Sequence, residues 1–515
     1  MSSEALRYED PTITPARRAG FAKALTLTDA TMLVAGSMIG SGIFIVSADI
    51  GRTVGSPFWL LIAWVLTGVI TLLGALAYAE LAAMYPKAGG QYVFLRESMG
   101  PLTGFLYGWT LFVVIQTGTI AAVAVAFGKY LGVLVPAIGP ERYGWFPQAD
   151  VCVRALGCTD AANAIQIGLT PQRLVGLATI WLLTWVNLRG VKEGKFVQTS
   201  LTIVKTGALA LLIILGLTVG RNATAIASNF GTGNFGGFAG VNSAFMIAFG
   251  AAMVGSLFSS DAWNNVTFAA AEVKNPSRNL PLALLLGTGL VTLLYVCANV
   301  SYLSVLPLRG TAEGATVLAR GIQHATQDRV GSAAAEMIFG PNAGTLMAVA
   351  ILISTFGCNN GLILAGARVY WAMARDGLFF RRVGTLNRNQ VPAAALIVQS
   401  IWTSVLCLTG TYNQLLDYVI FAALIFYVLT TMGLFVLRRT RPDHPRPYRA
   451  VGYPVLPALY ILLASAVAIV LLISLKTRTQ AISGLVLVLI GIPVYYFSRS
   501  ALGAPPADAE APLDA

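Results

Sequence analysis

The chain has 515 residues, of which 56% are hydrophobic and only 11% charged, against about a quarter charged in an ordinary soluble domain. That balance, with a mean hydropathy of +0.72, excludes a soluble globular fold and points to a chain embedded in lipid. The formal charge of +12 fits basic residues gathered in loops on one side of a membrane better than it fits nucleic-acid binding.

Cys152, Cys158, Cys297, Cys358 and Cys407 show no metal spacing, and the two histidines, His324 and His444, are far apart in predicted loops. No metal or other cofactor is expected. The polar tail to about Lys23 lacks the short apolar core and small-residue cleavage site of a secretory signal, so the first helix is expected to act as the insertion signal.

Crossing a hydrocarbon layer about 30 Å thick takes roughly 20 apolar residues per helix. Twelve such stretches can be laid down, over residues 27–50, 57–80, 102–128, 173–188, 199–219, 243–270, 282–306, 343–372, 393–409, 414–437, 455–475 and 481–498. They are called spans 1 to 12 below. The expected organisation is an N-terminal tail over residues 1–24, a membrane domain over 25–498 and a C-terminal tail over 499–515. Twelve spans put both termini on one side. Segments on that side hold 21 of the 34 lysines and arginines, the opposite side holds 11, and Lys205 and Arg368 fall inside spans 5 and 8. The positive-inside rule therefore assigns both termini to the cytoplasm, in a cell (inner) membrane.

In span 1, the run Gly36-Ser37-Met38-Ile39-Gly40-Ser41-Gly42-Ile43-Phe44 sets three glycines and two serines within seven residues of an apolar stretch. Glycine weakens a helix there. A break at membrane depth leaves backbone groups unpaired, which is tolerated only against protein or a water-filled cavity. The same small residues also suit close helix packing, with Gly36 and Gly40 at the Gly-x-x-x-Gly spacing. Further along, the outside loop over about 130–172 carries Cys152 and Cys158, which either close a small disulfide loop or stay free.

Lys205, in Leu201-Thr202-Ile203-Val204-Lys205-Thr206, lies too deep in span 5 to snorkel easily and needs partners. Span 6 holds a second interruption, Gly255-Ser256-Leu257-Phe258-Ser259-Ser260-Asp261-Ala262-Trp263-Asn264. Paired breaks at corresponding positions of two halves are the pointer to an inverted-repeat transporter, with spans 1–5 and 6–10 as the repeats and spans 11 and 12 appended. Free N–H groups at one break attract a carboxylate and free carbonyls at the other accept an ammonium, the two charges a free amino acid carries on one carbon. Asp261 is a functional candidate by its depth, as a tuner of the ammonium site, a proton carrier or a cap for the second fragment of span 6. Arg368 is expected to snorkel to the cytoplasmic interface. The charges of Lys87 to Arg96 and of Glu272 to Asn279 read either as inner-gate contacts with each other or as ordinary solvated loop charges.

Three motifs carry a family resemblance: Gly40-Ser41-Gly42-Ile43-Phe44, Tyr85-Pro86-Lys87-Ala88-Gly89-Gly90-Gln91-Tyr92, and Trp263-Asn264 leading to Glu272-Val273-Lys274-Asn275-Pro276-Ser277-Arg278-Asn279-Leu280-Pro281. Over about residues 25–498 the chain resembles the amino acid, polyamine and organocation (APC) transporter superfamily, and within it the L-type amino acid transporter family, as a bacterial-like member. The resemblance implies an all-α, LeuT-type 5+5 inverted repeat with helices 1 and 6 broken. It implies carboxylate contacts at Met38, Ser41 and Gly42, and ammonium contacts at the carbonyls of Phe258, Ser259 and Asp261, with Phe258 as gate and Asn264 beside them. It matches Ser354 and Cys358 to pocket positions, although small polar residues also serve helix packing. It places Lys205 against the unwound first helix, where sodium sits in sodium-coupled relatives. Animal members bond a heavy chain through a loop cysteine after helix 3; the loop here is longer and has two cysteines, so no heavy-chain partner is expected. Ala422 and Ala423 stand where some relatives have larger or polar residues, so specificity does not transfer.

The expected function is sodium-independent exchange or facilitated transport of neutral amino acids. The alternative is a proton-coupled or cationic amino acid transporter using Asp261. A sensor would need an appended signalling domain, and a channel needs charged or carbonyl rings. An enzyme would need paired catalytic groups that the spans lack.

Overall fold

The computed structural model describes residues 21–138, 149–151, 165–238, 240–408 and 412–502. Among them the chain crosses twelve times: Leu27–Met38 with Ser47–Val54 (span 1), Pro57–Met84, Pro101–Leu134, Pro171–Arg189, Val191–Leu217, Ser243–Ser259 with Asn265–Phe268 (span 6), Pro276–Val305, Ala343–Arg375, Ala393–Leu408, Tyr412–Thr440, Val455–Ile473 and Arg478–Leu502. Eight of these hold a window long and apolar enough to cross alone; the exceptions are the broken spans 1 and 6, span 4 and the short span 9. Cys152 and Cys158 lie outside the described residues.

Several helices run beyond their apolar stretches. Span 5 begins at Val191, eight residues before its hydrophobic run, and a single residue, Gly190 at φ 152°, separates it from span 4. Lys192, Glu193 and Lys195 fill that extra length; hydropathy sees only the part in lipid, whereas backbone hydrogen bonding continues into water. One feature departs from the all-α expectation: Ala149–Val151 pairs antiparallel with Ile165–Ile167 in the loop between spans 3 and 4.

Span 1 starts on a capping box, in which the Thr26 hydroxyl accepts from the Asp29 N–H and Asp29 accepts from the Thr26 N–H. Its helix stops at Met38, a 3₁₀ turn follows at Gly42–Phe44, and the second fragment ends on Gly55 at φ 61°. Span 6 stops at Ser259, and Ala262 holds a positive φ of 64° before the chain re-enters a helix. The second fragment is one turn of four residues, with Asn264 at its N-cap and no side-chain cap. Asp261 therefore does not cap it.

Each half carries a short helix after its second span, Gln91–Met99 in one and Val330–Phe339 in the other. Spans 5, 7 and 8 surround the first fragment of span 1, and spans 2, 10 and 11 pack on span 6. Apolar side chains such as Trp181, Trp185, Leu211, Ile214 and Leu293 are exposed on the outer faces, as lipid contact requires and water would penalise.

Candidate functional site

At membrane depth every carbonyl freed by a helix break needs a donor from the protein. Five successive carbonyls of span 1 receive one. Lys205 Nζ donates to Gly36 and Ile39, both at 2.6 Å, and Cys358 Sγ donates to Ser37 at 3.0 Å. The Tyr295 hydroxyl reaches Met38 at 3.0 Å, and the Ser354 hydroxyl is shared between Ile39 at 3.2 Å and Gly40 at 3.0 Å. The third direction of the ammonium is taken by the Ser354 carbonyl at 3.3 Å. Spans 5, 7 and 8 thus supply what the missing turn of span 1 would have supplied, and Lys205 is 1% exposed.

The second break lies against the first. Tyr295 also reaches the Ser259 carbonyl at 3.0 Å, so one hydroxyl spans both breaks. A Cβ added at Gly42 would stand 2.0 Å from Ser259 Oγ and 3.1 Å from Ser259 Cα; only glycine admits this approach. The carbonyl of Phe258 accepts from the Asp261 N–H at 3.1 Å. Ser41 and Phe258 are both buried.

Asp261 faces span 10, where its carboxylate accepts a short hydrogen bond from the Tyr427 hydroxyl. Tyr427 also lies 3.4 Å from Asn264 Oδ1, Asn264 Nδ2 donates to Gln91 Oε1 at 2.7 Å, and Gln91 Nε2 donates to Thr430 at 3.0 Å. This chain of side chains ties the unwound part of span 6 to span 10 and to the short helix after span 2. Among the described residues no salt bridge joins Asp261 to a cation. Two cavities of about 20 and 10 Å³ reach it, both also lined by Ala423 and Tyr427. Each has room for about one water, so neither admits an amino acid in this conformation.

Of the residues singled out in the sequence, Gly42 and Ser259 meet at the breaks, and Asp261 and Asn264 meet at Tyr427. Ser354 and Cys358 turn their side chains to the backbone of span 1. Arg368 does not snorkel. It is 1% exposed and paired at 2.9 Å with Glu272, itself 0% exposed, because a neighbouring carboxylate at the same depth makes burial less costly than stretching to water. Of the two charged loop stretches, Arg96 binds Asp376 and Glu97, and Glu272 binds Arg368. Tyr295, Tyr427 and Gln91 were missed. A phenol inside an apolar run, as in Leu293-Leu294-Tyr295-Val296, was the available signal, since a buried hydroxyl must find a partner.

Twelve spans, two interrupted helices in contact at mid-depth and a donor set that replaces the missing turn define a broken-helix secondary transporter of the inverted-repeat class. The chain belongs to the amino acid permease family, whose profile matches residues 25–494. It is 31% identical to the serine/threonine exchanger SteT of Bacillus subtilis, over 93% of this chain and 97% of that protein. It is 30% identical to the large neutral amino acids transporter small subunit 2 of Homo sapiens, over 92% of this chain and 80% of the relative. It is 28% identical to the b(0,+)-type amino acid transporter 1 of Rattus norvegicus, over 92% and 87% of the two chains.

Proposed function

We propose that the chain moves neutral amino acids across a cell (inner) membrane by alternating access and without sodium, as an exchanger or facilitator that works alone. Its membrane domain, residues 25–498, carries the activity, with both termini cytoplasmic. The substrate carboxylate meets the N–H groups around Ser41 and Gly42 beyond Met38, and its ammonium meets carbonyls near Phe258, Ser259 and Asp261. Ser354, Cys358 and Asn264 shape the surrounding wall.

The observation that carries the sodium-independent reading is Lys205. Its ammonium occupies carbonyls of Gly36, Ile39 and Ser354, and a bound cation seeking the same oxygens would be repelled by it. Exchange is also what the name of the Bacillus subtilis relative states for that protein.

One observation favours a second reading. Asp261 borders both cavities and has no cationic partner among the described residues, so a cationic side chain or a proton would relieve a buried negative charge. Uptake of a panel of radiolabelled amino acids into proteoliposomes separates the readings, run with and without sodium, a pH gradient and internal amino acid. Sodium-stimulated uptake would refute the lysine argument. Uptake of arginine and lysine above that of neutral amino acids, or dependence on an inward proton gradient, would establish the second reading.

A further inference from the structure

Spans 4 and 5 meet at an elbow of one residue, Gly190, on the side of the membrane that holds the N-terminus. Three cations outside the transport site gather there. In span 4, Trp181, Trp185 and Arg189 follow one another at four-residue spacing, which sets them on one face, and all three are exposed. Arg189 folds back over Trp185, its guanidinium carbon 3.7 Å from the ring centroid, in the direction that helical side chains lean. Span 5 leaves the elbow in the same manner, with Lys192 exposed and Phe196, four residues on, 72% exposed. On both spans an apolar outward face ends in a cation.

A third cation is held there by the loop between spans 8 and 9. Asn387 and Asn389, which flank Arg388, both donate to the Leu188 carbonyl of span 4 at 3.2 Å. Asn387 also closes its own turn, its Oδ1 accepting from the N–H groups of Asn389 at 2.9 Å and Val391 at 3.1 Å. The exposed Arg388 is thereby set beside the end of span 4. One carboxylate, Glu193, adjoins the cluster and leans toward Gly190, where an added Cβ would stand 2.5 Å from its Oε2. Among the described residues none of these four charges takes part in a salt bridge. Three cations against one carboxylate leave the elbow positively charged.

Tryptophan at the end of a span sits at headgroup level, which puts Arg189 at the depth of lipid phosphates. A guanidinium resting on an indole is already partly desolvated and oriented, and its planar fork matches a phosphate. A zwitterionic headgroup brings a further cation into this cluster, whereas an anionic one relieves the excess charge.

We propose that the elbow is a binding site for one anionic phospholipid, its phosphate among Arg189, Lys192 and Arg388 and its acyl chains along Trp181, Trp185 and Phe196. The site is independent of what the transporter carries.

The test uses the full chain in detergent micelles doped with phosphatidylglycerol or with phosphatidylcholine of the same acyl chains, and counts retained lipids by native mass spectrometry. Phosphatidylglycerol is expected to be retained in preference to phosphatidylcholine. Arg189→Gln with Lys192→Gln is expected to weaken its retention roughly twenty-five-fold, about fivefold for each cation. The charge-matched control, Arg278→Gln with Arg439→Gln, removes two exposed cations elsewhere on the same side and is expected to change nothing. Trp185→Leu keeps the apolar face without the stack; it is expected to weaken phosphatidylglycerol several-fold and to spare phosphatidylcholine. Glycerol 3-phosphate, which has the phosphate without the chains, is expected not to displace the lipid. All the substituted side chains are exposed, and the unfolding temperature in lipid-free detergent checks that each variant folds. Equal retention of the two lipids, equal loss in the control pair, displacement by glycerol 3-phosphate, or release of a dimer of the chain in place of the lipid complex would each overturn the proposal.

Discussion

Replacing Lys205 by methionine removes the ammonium while keeping most of the side-chain volume. Its two short bonds to Gly36 and Ile39 are each worth about 1.5–3 kcal/mol as bonds to a charged donor. Ile39 keeps the Ser354 hydroxyl, but Gly36 loses the donor that replaces its helical one, at a cost of about 1–3 kcal/mol for an orphaned buried carbonyl. Against this stands relief of the penalty for desolvating a buried ammonium, several kcal/mol in itself. The opposing quantities are of similar size, so the thermal midpoint is expected to move little, by the equivalent of no more than about 2 kcal/mol. The position of the break, by contrast, loses its strongest restraint. Since misplacement by about 1 Å can cost a factor on the order of 100 in rate, initial uptake at matched protein is expected to fall by at least roughly tenfold. Uptake into proteoliposomes and thermal unfolding in detergent measure the two effects side by side. A variant that transports at the parental rate would refute the claim that this ammonium positions the break.

Gly42→Ala is expected to abolish transport and lower the melting temperature, because the new methyl meets the Ser259 backbone at 3.1 Å as well as its hydroxyl and cannot be relieved by a rotamer change. Tyr295→Phe deletes the one hydroxyl that spans both breaks; a loss of about 1–3 kcal/mol is expected, read as a lower unfolding temperature together with slower uptake. Glu97, on the short helix outside the spans, is pushed up by burial, yet bonds from Arg441 and Arg96 outweigh this and hold its carboxyl below the usual 4.5. A lowered folded pKa means that its stabilisation is present above pH 4.5 and is lost as pH falls through the lowered value. The gap in unfolding temperature between the parent and Glu97→Gln should therefore be constant from pH 6 to 8 and shrink in acid; a gap that widens in acid would refute the assignment.

The sequence settled what lipid settles locally. A helix must satisfy its backbone within itself at membrane depth, so runs of about 20 apolar residues had to become spans, and the paired Gly-Ser runs of spans 1 and 6 pointed to breaks, which fall just after Met38 and just after Ser259. Lys205 announced itself because an ammonium at that depth is costly wherever the chain folds. Boundaries were less legible where helices continue past lipid, as at Val191.

What only the tertiary structure decided is who satisfies the breaks and the buried charges. The donors to Gly36, Ser37 and Met38 lie 169, 321 and 257 residues away along the chain, and nothing in the local pattern of spans 5, 7 and 8 says which face will meet span 1. Arg368 shows the same limit: depth in one helix suggested snorkelling, and the carboxylate that makes burial affordable comes from another element, 96 residues earlier. Hydropathy is a property of a segment alone, whereas satisfaction of a buried polar group is a property of a pair, and pairs exist only once the spans have packed.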